Sequence, residues 1–106
     1  MIRVVLCTVP PEKAEALARA LVERRLAACV NIIPAVKSIY RWEKELCEDA
    51  ESLLIIKTAE ARFPGLMDFI KANHPYTVPE IIGLPVSDGN PDYLGWVLEE
   101  TGESCE

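Results

Sequence analysis

The chain has 106 residues, half of them hydrophobic, with 11 Lys and Arg against 17 Asp and Glu for a net charge of −6 at pH 7. A domain of this size buries roughly two-thirds of its unfolded surface, so it needs neither a disulfide nor a structural metal to fold. The acidic balance opposes phosphate backbones and anionic membranes, which argues against nucleic-acid and membrane partners.

Residues 2–9 form a first predicted strand, stopped by Pro10 and Pro11. Pro11 suits the first helical position, where its missing N–H would be unpaired in any case. Over residues 12–26, Ala14, Leu17, Ala18, Leu21 and Val22 recur on one helical stripe, and Glu15, Arg19 and Glu23 alternate in sign on the other face. That spacing predicts a helix packed by one side only. Residues 28–42 predict a long second strand with Val30, Ile32, Val36, Tyr40 and Trp42 prominent, and Pro34 marks a bulge or a sheet edge. The acidic stretch from Glu43 to Glu51 reads as a hairpin connection into a third strand, residues 52–58. In that strand Leu53-Leu54-Ile55-Ile56 is apolar on both parities, so both faces must be kept dry.

Phe63, Leu66, Met67 and Ile70, spaced i, i+3, i+4 and i+7, predict a second helix that ends at His74, before Pro75. Residues 75–80, with two prolines, predict an ordered loop, and residues 81–86 a fourth strand. Asn90 is placed to cap a third helix, Pro91 fits its first position, and Asp92 complements the positive end of its dipole. Gly102 ends that helix, so residues 1–102 are expected to make one domain and residues 103–106 a frayed tail.

The order β-α-β-β-α-β with a trailing helix is the split βαβ, or ferredoxin-like, α+β arrangement, with both crossover helices on one face of an antiparallel sheet. The bare face, apolar in its turn, predicts a homo-oligomer whose copies cover one another. The alternative is that the third helix folds back across the sheet of its own chain. Cys7, Cys29, Cys47 and Cys105 contain no C-x-x-C pair, which predicts reduced thiols rather than a zinc ribbon. The start is too short for a secretory apolar region and no run approaches 18 apolar residues, so a cytoplasmic soluble protein is expected. No Gly-rich phosphate loop follows a strand and no activated nucleophile is paired with a base, so an enzyme is not expected.

Five segments carry a resemblance: Leu6-Cys7-Thr8, Glu23-Arg24-Arg25-Leu26-Ala27-Ala28-Cys29-Val30-Asn31, Ser38-Ile39-Tyr40-Arg41-Trp42, His74-Pro75-Tyr76-Thr77-Val78-Pro79-Glu80-Ile81 and Tyr93-Leu94-Gly95-Trp96. Together they resemble the CutA1 divalent-cation tolerance family, over nearly the whole chain. The resemblance implies a ferredoxin-like homotrimer with strands paired across subunits, linked to copper and other divalent-metal tolerance in bacteria and to membrane-enzyme anchoring in animals. It carries proposed metal ligands over to Cys7, Cys29 and His74, donors suited to a copper ion or to zinc. Two departures stand out: Lys44 replaces a Gly frequent in the family after Trp42, and Asn73 replaces the second His of some members.

Topology constrains the ligand set. Strands one and two run the same way, so Cys7 near the end of one and Cys29 at the start of the other lie roughly 15–20 Å apart, too far to share an ion in one subunit. His74 falls at the same end of the sheet as Cys7. For both cysteines, packing in the core competes with ligation, and for His74 capping of the helix end does. Tyr40, Trp42, Tyr76 and Trp96 are candidates to line a ligand cleft between subunits or to pack an interface. The readings are therefore a metal-binding trimer, a regulatory trimer similar to PII-type proteins that binds a small ligand in clefts between subunits, and a purely structural trimer.

Overall fold

A computed structural model of the chain describes residues 1–102. The expected frayed tail, 103–106, and with it Cys105, lies outside the described residues. Eight residues of strand β1 (Ile2–Val9) lead into helix α1 (Pro11–Glu23), then strands β2 (Cys29–Trp42) and β3 (Glu45–Ala59), helix α2 (Phe63–Asn73), strand β4 (Ile82–Pro85) and helix α3 (Pro91–Thr101). The sheet order is β2-β3-β1-β4, antiparallel at every junction, which is the ferredoxin-like topology.

Local chemistry explains the boundaries. Pro11 opens α1 without losing a bond. The helix stops where Arg25 turns left-handed at φ 59°, with Leu26 N–H donating to Leu21 O and Arg25 N–H to Val22 O, a Schellman end without glycine. Asn90 Oδ1 accepts from Asp92 N–H at 3.0 Å and starts α3 as expected. On β2, the bulge between Ile33 and Val36 falls at Pro34, whose carbonyl accepts from Ser52 Oγ at 2.8 Å.

One expectation needs correction. The acidic stretch Glu43 to Glu51 is not a connection: residues from Glu45 onward are strand, paired one for one from Trp42↔Glu45 to Val36↔Glu51. The turn is only Glu43 and Lys44, both left-handed at φ 50° and 69°, as a tight two-residue hairpin requires. Two strands of 14 and 15 residues make a long arm, and the molecule measures 46 × 26 × 22 Å.

The core lies between the sheet and the first two helices. Val5, Cys7, Val9, Leu54 and Ile56 face Leu17 and Leu21 of α1 and Leu66 and Ile70 of α2. Helix α3 crosses to the other face and packs Val97 and Leu94 against Ile2 and Ala28. The alternative of a helix folding back on its own sheet is thus realised at one end only. Residues paired across β4, β1 and β3 on that face include Ile82 with Leu6 and Leu6 with Ile55, and Ile82 remains 48% exposed.

Candidate functional site

The end of the sheet away from α3 holds a cleft of about 650 Å³. Its walls come from Thr8 at the end of β1, from Tyr40 and Trp42 on the hairpin arm, from Glu51 in β3, and from Tyr76 and Glu80 in the loop after α2. Pro75 shapes that loop: a residue before proline is driven out of the helical region, and His74 is extended at φ −105°, ψ 138°.

His74 then pins the loop to β1. Its Nδ1 accepts from Tyr76 N–H at 3.1 Å, so the ring proton sits on Nε2, which donates to Thr8 O at 2.8 Å. The Tyr76 ring packs tilted on the imidazole with centroids 4.7 Å apart. From there the Tyr76 hydroxyl donates to Glu51 Oε2 at 2.7 Å. Glu51 is only 4% exposed, and that phenol is the one hydrogen-bond partner of its carboxylate among the described residues. Thr8 Oγ1 donates to Glu80 Oε1 at 3.5 Å, bringing a second carboxylate to the same end of β1. On the arm, Tyr40 donates to Asp49.

These contacts keep both phenols protonated. The hydrogen bond to Asp49 pushes Tyr40 up to about 12. Burial, and after it the hydrogen bond and charge of Glu51, raises Tyr76 further. The cleft therefore offers neutral hydroxyl donors and aromatic faces beside anionic carboxylates.

The residues singled out from the sequence fall as follows. Cys7 is wholly buried among core side chains, and its thiol is pushed up to about 12, first by burial and then by the charges of Glu80 and Glu51. His74 lies at the same end of β1, as expected, with both ring nitrogens engaged by backbone groups. Cys29 is at the other end, paired with Lys57 while Cys7 pairs with Leu54, two strands and three residues away, or roughly 14 Å. There its thiol interacts with the Tyr93 hydroxyl, whose pKa is raised mainly by burial. Among the described residues no group of three or more His, Cys, Asp or Glu side chains is arranged to hold a metal ion. Of the four aromatic residues, Tyr40, Trp42 and Tyr76 do gather in one cleft, whereas Trp96 sits on α3 against Tyr93, centroids 5.7 Å apart. Glu80 escaped sequence reasoning, and Glu51 figured in it only as one acidic residue of a supposed solvated connection. The one usable signal is Glu51's place next to Ser52, at the edge of an apolar strand that would bury it.

Fold and cleft together define a small α+β protein of ferredoxin-like topology with one sheet face partly uncovered. The chain belongs to the CutA1 divalent ion tolerance protein family, whose sequence profile matches residues 3–100. It is 57% identical over 103 residues to the divalent-cation tolerance protein CutA of Thermus thermophilus, covering 96% of this chain and all of that one. The solved structure of the Thermus protein superposes with a TM-score of 0.93 over the same shares. Mouse protein CutA is 53% identical over 89% of this chain, which spans 54% of the mouse protein. The apo structure of the PII-like protein CutA from Nostoc superposes with a TM-score of 0.90 at 36% identity, covering 94% of this chain and 97% of that one. No helix of the described residues is long and apolar enough to cross a membrane.

Proposed function

We propose that the chain assembles as a homotrimer and binds a small ligand in the cleft at the open end of each sheet, and that its part in divalent-cation tolerance is regulatory, in the manner of PII-like proteins. The observation that carries this reading is Glu51, a carboxylate buried at the wall of a 650 Å³ cleft with a single phenol for a partner. That volume lies in the range of small-molecule sites. The trimer is supported by the uncovered apolar strip of Ile82, Leu84 and Ile33, and by the likeness to a PII-like CutA. A cytoplasmic setting accords with the free thiols of Cys7, Cys29 and Cys47.

A ligand that binds only the folded form raises the thermal midpoint by mass action. A screen of amines, organic acids, nucleotides and divalent cations under reducing conditions tests the reading: at least one small molecule raises the midpoint of the wild type and fails to do so in Trp42→Ala. A screen in which only metal ions act, with the shift lost in Cys7→Ala and His74→Ala, overturns it in favour of direct metal binding.

Copper held by Cys7 and His74, with Cys29 serving a separate site, is the second reading. Its supporting observation is that Cys7 and His74 share one end of β1. It requires His74 to give up a backbone hydrogen bond and Cys7 to lose a tightly held proton, so it predicts weak binding near neutral pH that strengthens as pH rises. Anaerobic Cu(I) titration followed at the thiolate band, compared with Cys7→Ala and His74→Ala, decides it.

A further inference from the structure

We infer that the ligand of the cleft is a small organic cation, an alkylammonium group seated between the Tyr40, Trp42 and Tyr76 rings with its charge directed at Glu51. This rests on the cleft reading above and adds the ligand's chemical class. The lining that this chain supplies favours a positive ligand: it contains Glu51 and Glu80 and no Lys or Arg. Lys37, on the same arm, is already paired with Glu48 at 3.1 Å. An anionic ligand such as a nucleotide or a dicarboxylate would enter against two carboxylates in a chain of net charge −6.

Glu51 gives the second reason. Its carboxylate lines the cleft, accepts one hydrogen bond, from Tyr76, and makes no ion pair among the described residues, while its other oxygen is not sealed in the core. A cation in the cleft would find there an acceptor with a free oxygen and no competing counter-charge. The aromatic walls then separate an organic cation from a metal ion. A bare divalent ion takes oxygen ligands within about 2.6 Å and gains nothing from ring faces, and it would leave most of the cleft empty. Tyr40 and Trp42, 41% and 45% exposed, present ring surface of the kind that attracts ammonium groups, and a substituted ammonium fills the volume.

The test uses the full chain with choline and putrescine as cationic probes and succinate and ATP as anionic ones, read by thermal shift and by tryptophan fluorescence. Choline or putrescine is expected to bind, with affinity falling about tenfold or more in Glu51→Gln and in Trp42→Ala. Because Glu51 is buried, Glu80→Gln serves as a second charge variant; Trp42 is 45% exposed and belongs to neither core cluster, so removing it opens no core cavity. Cation binding that survives all three substitutions places the cation elsewhere and overturns the inference. Succinate or ATP binding that is lost in Trp42→Ala, with both amines inert, overturns the charge assignment and leaves the cleft reading standing. No response to any probe of either charge counts against both.

Discussion

At the scale of single residues, the cleft and the core meet at Cys7 and Glu51. Cys7 has its thiol raised from 9.0 to about 12 by burial and by the nearby carboxylates. The folded form holds this proton more tightly than the unfolded one, so the contribution is intact below about pH 9 and is lost as pH rises toward 12. Cys7→Ala is expected to cost about 1–2 kcal/mol at pH 7 through lost packing, and to flatten the alkaline fall in stability between about pH 9 and 11. Urea midpoints across that range check it, and parallel slopes for the two proteins would refute it. Tyr76→Phe removes the one hydrogen-bond donor to the Glu51 carboxylate, with an expected loss of about 1–3 kcal/mol. An unchanged urea midpoint for that variant would show that Glu51 is satisfied by some other means.

At the scale of elements, the hairpin arm holds both the clearest success and the clearest failure of reading by pattern. The apolar quartet Leu53-Leu54-Ile55-Ile56 announces a strand covered on both sides, and it is the strand at the heart of the sheet, between β2 and β1. The preceding Glu45-Leu46-Cys47-Glu48-Asp49-Ala50-Glu51 has no such pattern, because both faces of the outer arm are largely exposed and nothing selects apolar residues there. Its strand character comes from pairing with β2, a long-range fact that local composition does not encode. The cleft was legible in part for the same reason. Tyr40, Trp42 and Tyr76 stand out as aromatic residues, whereas the Tyr76–Glu51 bond joins residues 25 apart that only the fold brings together. The turn yields a further prediction. Lys44 occupies a left-handed conformation in which its β-carbon crowds the backbone, a contact that glycine avoids. Lys44→Gly is expected to gain about 1 kcal/mol; a lower thermal midpoint for that variant would contradict a strained tip.

At the scale of the whole molecule, two layers are finished and a third is not. Helices α1 and α2 seal one face of the sheet around Leu21, Leu66 and Ile70, and α3 seals one end of the other around Val97. Between α3 and the cleft lies the strip formed by Leu84, Ile82 and Ile33, each more than a third exposed on strands whose sequences demand dryness. Copies of the chain are the cover that such a strip calls for, and their arrival would also wall the cleft from outside. On the reading proposed above, assembly and ligand binding are linked, since the register puts Tyr40 and Trp42, opposite Cys47 and Glu45, on the same side of the sheet as that strip.

Light scattering on the purified chain at micromolar concentration measures this most directly. Three copies of an 11.8 kDa chain give about 35 kDa, the mass expected. A well-folded species that stays near 11.8 kDa would contradict the account.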